Sequence, residues 1–313
     1  MTTAFIFPGQ GSQTVGMGKT LADAFAPARE LLAEVDEALG VKLTHIMWEG
    51  PAEMLTLTEN AQPALLAVSL AAIRVLEVEA GLELERDAAF LAGHSLGEYS
   101  ALAAARSLTV VDAARLVRLR GQAMQKAVPV GTGAMAALIG LESDQVKAIA
   151  AEAAQGEVCE AANDNAPGQI VVSGNKAAVE RAAEIAKARG ARTMMLPVSA
   201  PFHCALMKPA AEVMADALAK VKVQAPKVPV VANVTATPVN DPAEVVRLLV
   251  RQVTDTVRWR ESVEFLVARG VDRLVEVGAG RVLMGLAKRI APDIAATALG
   301  RLEDVVAFKA ARG

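Results

Sequence analysis

At 313 residues the chain is long enough for two domains, or for one large domain carrying an insertion. A 53% hydrophobic content and a mean hydropathy of +0.34 prompt a search for membrane spans, but uncharged stretches such as 127–141 and 193–207 hold proline, glycine or polar residues and fall short of the roughly 18 apolar residues a spanning helix needs. A balance of 32 basic against 35 acidic residues with 3% aromatics argues against a nucleic-acid binder, and 2 cysteines and 3 histidines are too few for a disulfide framework, a zinc cluster or a histidine-rich metal site.

Residues 1–8 carry no Lys or Arg and only a short apolar run, unlike a signal peptide, so a cytoplasmic protein is expected. The apolar run at 4–7 and the Gly/Gln/Ser loop at 8–18 read as a strand followed by turn chemistry. Helical periodicity covers 23–39 and 62–76, with Pro63 suited to a helix start, and 43–48 reads as a surface helix. A buried strand at 88–92 runs into Gly93-His94-Ser95-Leu96-Gly97, and helices follow at 98–106 and 110–126.

Between 131 and 196 the pattern changes to strand (134–139), helix (143–154), strand (158–162), strand (169–173), helix (176–189) and strand (192–196). That β-α-β-β-α-β order is ferredoxin-like and predicts a compact inserted subdomain at 131–197. Beyond it come a helix at 208–221, a strand at 228–234, helices at 242–254 and 257–269, a strand at 273–277 and a final helix. Alternating strands and helices in 1–130 and 198–313 predict one α/β domain around a mostly parallel sheet.

Gly93-x-Ser95-x-Gly97 lies between an apolar strand and a helix, the setting of a nucleophile elbow. Flanking glycines permit the tight turn that lifts a serine hydroxyl out of the sheet, and the helix N-terminus supplies amides for an oxyanion. The motif favours Ser95 as nucleophile over an ordinary glycine-rich turn. A serine of normal pKa needs a base, and the choice is among His45, His94 and His203. His94 adjoins Ser95 and points away from it, reading as a packing or hydrogen-bonding residue, while His45 sits on the surface helix. His203 lies in a proline-containing loop running into a helix, a typical seat for a functional side chain, and is the expected base. No acid between Ser95 and His203 is an evident partner: Asp164 reads as turn chemistry, and a carbonyl could fix the histidine tautomer instead.

On the helix at 110–126, Arg120 shares the apolar stripe of Ala113, Leu116, Val117 and Met124, whereas Arg115 and Arg118 do not. An inward guanidinium needs an anion, which leaves an internal salt bridge, snorkelling, or a clamp for a substrate carboxylate as alternatives. Gly18-Lys19-Thr20 ends like a phosphate-binding loop, but Gln13 replaces the required earlier glycine; after Gly278-x-Gly280 the third glycine position is Leu283. Neither motif supports nucleotide binding.

Phe7-Pro-Gly-Gln-Gly-Ser-Gln13, Asn60-Ala-Gln-Pro-Ala-Leu65, Gly93-His-Ser-Leu-Gly-Glu-Tyr-Ser-Ala101, Arg120-Gly121, Phe202-His-Cys-Ala-Leu-Met207 and Val257-Arg-Trp259 occur in order along the chain. Together they resemble the bacterial malonyl-CoA:acyl carrier protein transacylases of fatty acid synthesis and the related acyltransferase domains of polyketide and fatty acid synthases. The resemblance implies an α/β-hydrolase-like large domain with a ferredoxin-like insertion. It implies Ser95 as the acylated nucleophile, His203 as base, the amides of Gln10 and Leu96 as oxyanion hole, and Arg120 as the grip on the malonyl carboxylate. It further implies that the main-chain carbonyl of Gln252 orients the histidine. Phe202 accompanies malonyl rather than methylmalonyl selection in the related domains, and Met124 joins it among the substrate-binding residues.

The implied reaction is a ping-pong transfer with malonyl-CoA as substrate and no metal or other cofactor, the phosphopantetheine being carried by the partner. That partner is a holo acyl carrier protein, acidic and transiently bound, which predicts a local basic patch with Arg115, Arg118, Lys126, Lys288 and Arg289 as candidates. A monomer, with no nucleic acid or membrane as partner, is expected. A serine esterase or thioesterase, an acyltransferase serving a polyketide carrier, and a non-catalytic module holding a nucleotide or CoA are the competing readings.

Overall fold

A computed structural model describes residues 2–310. Its strands are β1 (Thr3–Phe7), β2 (Phe90–Gly93), β3 (Gly133–Ile139), β4 (Cys159–Ala166), β5 (Gln169–Asn175), β6 (Arg192–Met195), β7 (Val230–Val231), β8 (Pro238–Val239), β9 (Arg273–Val277) and β10 (Ala295–Leu299). They form a 6-stranded sheet in the order β10-β9-β1-β2-β7-β8 and a 4-stranded sheet in the order β4-β5-β3-β6. In the first sheet every pair is parallel except β7 with β8, and in the second every pair is antiparallel.

The central strand β1 shows why the larger sheet is parallel. Phe5 and Phe7 join a cluster with Leu65, Val68 and Tyr99, while Ala4 and Ile6 join another with Trp259, Val263 and Leu283. Alternate side chains of one strand are thus buried on opposite faces, as in sheets covered by helices on both sides. The helices Thr58–Ala80 and Val110–Ala127 cover one face, and Trp259–Ala268 and Val282–Ile290 the other. Thr58–Ala80 is the one helix among the described residues long and apolar enough to cross a membrane, but 83% of its apolar window is buried in the protein, so it is a core helix.

The order expected of 131–196 is present, with β4 running on to Ala166. Asp164 therefore lies in a strand rather than a turn, buried and paired with Arg260 at 2.8 Å. With the bridge between Asn163 and Val257, this pair ties the smaller sheet to the segment entering the Trp259–Ala268 helix.

The remaining departures have local causes. The helix expected over 23–39 is broken at Phe25, which is extended at φ −127°, and Pro27 opens the second helix, Ala26–Leu39, where its missing N–H is harmless. The helix expected at 62–76 starts at Thr58 and holds Pro63 inside it. Thr58 and Asn60 are buried although polar, so the apolar periodicity starts later than the helix. Of the strand expected at 228–234 only β7 forms, because the chain turns away at Ala232. The expected single final helix is a helix, Val282–Ile290, then β10 and a second helix, Leu302–Ala310. β10 is an alanine-rich edge strand of low intrinsic β preference, which hid it from the residue pattern.

Candidate active site

Ser95 stands where β2 ends and the helix Gly97–Ala104 begins. The turn is tight enough to forbid side chains on either side: a Cβ on Gly93 would lie 1.9 Å from the Gly97 carbonyl oxygen, and one on Gly97 would lie 2.3 Å from that of Phe7. Ser95 itself is held at φ +53°, a left-handed conformation that costs a non-glycine residue about 1–3 kcal/mol and persists only where its surroundings enforce it. His203, at φ +58°, enters from the loop that leaves the smaller sheet.

Ser95 Oγ is 2.8 Å from His203 Nε2, and His203 Nδ1 is 2.8 Å from the main-chain oxygen of Gln252. A carbonyl only accepts, so Nδ1 carries the proton and Nε2 presents its lone pair to the serine hydroxyl. His203 is buried and has no carboxylate partner for its ring among the described residues. Burial, reinforced by the positive charge of Arg120, pushes its pKa down to about 3, so the imidazole is neutral at physiological pH and its Nε2 lone pair is free to accept a proton.

Arg120 completes the constellation. Its guanidinium donates to Gln62 Oε1 at 2.7 Å, to Gln252 Oε1 at 3.0 Å and to Ser95 Oγ at 3.1 Å, and lies 5.9 Å from the centre of the Tyr99 ring. It is 2% exposed, its Nε has no partner, and it makes no ion pair among the described residues. Neither a direct salt bridge nor a snorkelling side chain fits: among the described residues the hydrogen bonds of this buried cation all go to neutral acceptors, and the buried Glu98 acts on it only from beyond ion-pair distance. Such a site is complementary to an anion arriving from outside.

Ser95, His203, Arg120, Gln10, Leu96, Met124 and Phe202 line one cavity of about 370 Å³. Its floor is the C-terminal end of β1 and β2, the usual ligand position in parallel sheets, and Met135, Asn163, Asn165 and Val171 of the smaller sheet line it too. Gln252 stands behind His203. A larger cleft of about 490 Å³, lined by Lys147, Cys159, Arg251 and Arg258 among others, contains no nucleophile–base pair. His94 bonds Asn165 Oδ1 at 2.8 Å and packs on Trp259, in keeping with a hydrogen-bonding role, and His45 is exposed. Of the basic candidates, Arg115, Lys126, Lys288 and Arg289 are exposed and Arg118 is half-buried.

The sequence left several neighbours unassigned. Gln62 accepts from Arg120 and donates to Thr58 Oγ1 at 2.9 Å, and Thr58 donates to Gln10 Oε1 at 2.9 Å, so one chain of contacts links Arg120 to the Gln10 loop. The i, i+4 spacing of two buried polar residues on one helix was the available signal. Glu98 is buried, accepts from Asn233 N and Gln252 Nε2, and burial pushes its pKa up to about 7.

The depressed pKa has a kinetic consequence. A base acts when neutral, hence above its own pKa, so kcat/KM should stay level down to about pH 5 and fall only well below the usual histidine value of about 6.5. An anion bound at Arg120 would cancel part of the repulsion, placing the acid limb of kcat above that of kcat/KM. A pH–rate profile checks both, and an acid limb near 6.5 in kcat/KM would contradict the lowering of the His203 pKa.

Residues 4–297 match the family model described as acyl transferase domain. The malonyl CoA-acyl carrier protein transacylase of Escherichia coli K12 is 50% identical over 297 residues, 95% of each chain, and that of Bacillus subtilis is 46% identical over 289 residues, 92% of this chain and 90% of the relative. Among solved structures, the acyl-carrier-protein S-malonyltransferase of Bartonella henselae is 55% identical, covers 100% of both chains and superposes with a TM-score of 0.97. A malonyl-transacylase solved in complex with its type II PKS acyl-carrier protein is 44% identical over 99% of this chain and 100% of its own, with a TM-score of 0.96.

Proposed function

The chain belongs to the acyl transferase domain family, and on that premise we propose that it moves a malonyl group from malonyl-CoA to the phosphopantetheine thiol of acyl carrier protein through a malonyl ester on Ser95. The observation that carries the choice of acyl group is Arg120, a buried guanidinium beside the nucleophile that makes no ion pair among the described residues. A malonyl thioester bears a free carboxylate two bonds from its reacting carbonyl and meets that charge.

In the first half-reaction His203 Nε2 takes the Ser95 proton as Oγ attacks the thioester carbonyl. The amides of Gln10 and Leu96 hold the oxyanion; the C–S bond then breaks, and the CoA thiolate leaves with the proton from His203. In the second, His203 takes the proton of the carrier thiol, the sulfur attacks the ester, and the proton returns to Ser95. Proton transfer and amide donors suffice for both halves, so no metal or redox group is called for. Phe202 and Met124 flank the acyl site, and Phe202 is the side chain placed to crowd an α-methyl branch. Residues 1–130 and 198–313 serve as an α/β-hydrolase-like catalytic domain, with 131–197 as a ferredoxin-like subdomain walling the cleft. A carrier protein of polyketide synthesis is a second reading of the acceptor, favoured by the similarity to the transacylase solved with such a partner.

Intact-protein mass spectrometry after brief mixing with malonyl-CoA tests the proposal. One malonyl increment on the wild type, none on Ser95→Ala, and its removal by holo carrier protein faster than by water are expected. An adduct that water clears as fast as the carrier does would make the protein a thioesterase. Parallel chases with carriers of fatty acid and polyketide synthesis decide between the acceptors.

A further inference from the structure

We infer that Asn233 is a positioning residue for the nucleophile: its side-chain amide prolongs the pairing of β7 with β2 and so holds Ser95 in the left-handed conformation from which Oγ reaches His203. The inference rests on the reading of Ser95 as nucleophile.

Main-chain pairing between β2 and β7 covers Leu91 with Val230 and Ala92 with Val231. It stops there because the chain after β7 turns back, with Ala236 N bonding the Ala232 carbonyl. The polar groups on either side of His94, the Gly93 carbonyl and the Ser95 amide, then lie beyond the reach of the β7 backbone. Asn233 serves both: Nδ2 donates to Gly93 O at 2.7 Å, and Oδ1 accepts from Ser95 N at 2.7 Å. One acceptor and one donor on a planar amide are what a neighbouring strand would have supplied.

The asparagine is itself immobilised. It is 0% exposed, its N–H donates to Glu98 Oε2 at 3.0 Å, and its carbonyl accepts from Arg258 N at 3.0 Å. Its amide orientation is unambiguous, since Ser95 N can only donate and Gly93 O only accept. On the other side Gln252 Nε2 donates to the Ser95 carbonyl at 2.9 Å. A serine at φ +53° persists only where neighbours over-determine it, and these bonds grip it from both sides. Without the Asn233 amide, two buried main-chain groups lose their partners and the elbow can relax, moving Oγ off His203 Nε2.

Two variants test this. Asn233→Ala removes both bonds. Asn233→Asp keeps them only while protonated, when one oxygen accepts from Ser95 N–H and the other donates its proton to Gly93 O; once ionised it presents a lone pair to that carbonyl. Glu98 faces the position from the following helix, Arg120 and His203 lie across Ser95, and Arg258 contributes its amide. Burial beside Glu98 raises the carboxyl pKa of the aspartate variant into the measurable range.

The readout is the rate at which an alkyl fluorophosphonate labels Ser95, followed by intact mass from pH 5.5 to 8 with thermal unfolding as the folding control. Asn233→Ala is expected to label about a hundred-fold slower than wild type, the usual effect of an ångström-scale misplacement. Asn233→Asp is expected to recover at least about tenfold on going from pH 8 to 5.5 while the wild type stays level. A folded alanine variant within about threefold of wild type overturns the inference. Should the alanine variant not fold, the aspartate variant decides alone, and a rate that is flat or falls on acidification overturns it. A wild type labelled by the probe but not by malonyl-CoA sinks the transacylase reading and leaves this one standing; one that ignores the probe overturns both.

Discussion

Replacing His203 by alanine is expected to slow acylation of Ser95 by about ten-thousand-fold, the upper end of what a positioned base contributes. The size follows from the company Ser95 Oγ keeps. Of its two side-chain partners, His203 Nε2 can accept a proton, whereas the Arg120 guanidinium only donates. With the imidazole gone, no acceptor replaces it, and the residual reaction depends on hydroxide, so it should rise with pH where the wild type is level. Single-turnover acylation followed by mass spectrometry measures both. A loss smaller than about tenfold would mean that the serine proton leaves by another route.

Arg120→Ala is expected to lower kcat/KM for malonyl-CoA by about a thousand-fold while changing that for acetyl-CoA far less. Charge-assisted hydrogen bonds are worth about 1.5–3 kcal/mol each, and a two-pronged grip is therefore worth roughly 4 kcal/mol, a factor near a thousand. Acetyl-CoA has no carboxylate and, in the wild type, leaves the buried cation dry and unpaired, a penalty the variant lifts. The substitution also removes the charge that helps depress the His203 pKa, so the acid limb should move up toward the usual histidine value. Competition between the two thioesters, read as the ratio of adducts on Ser95, tests the first claim, and a pH–rate profile the second. An unchanged malonyl preference would remove Arg120 from selection.

How much of this was legible in the sequence depended on whether one residue or a distant pair carried the information. Gly93, Ser95 and Gly97 are adjacent, and their meaning is steric, so the elbow could be read directly. His203 followed by elimination among 3 histidines. Arg120 could be placed on an inward stripe, but its partner could not, because Gln62 and Gln252 come from other helices. The family resemblance, not residue pattern, pointed to the Gln252 carbonyl and the Gln10 and Leu96 amides, since a main-chain group leaves no trace in composition. Asn233 escaped notice because it fell inside the strand expected at 228–234, where one asparagine carries no sign of a partner, and its partners lie 138 and 140 residues away. In the fold, strands with branched or aromatic residues were legible and alanine-rich β10 was not.

The histidine of this site leans on a peptide carbonyl where many serine enzymes use an aspartate or glutamate. That choice shapes how the protein can decay through genetic drift. A carboxylate can be erased by one codon change, but the carbonyl at position 252 belongs to the backbone and survives every substitution that leaves the helix end in place. What drift at that position can remove is the side-chain amide bridging Arg120, Ser95 and Glu98. Mutation at this one codon therefore threatens selectivity and nucleophile placement before it threatens the tautomer of the base. A lineage losing this glutamine would be expected to become a slower and less discriminating transferase rather than an inert protein.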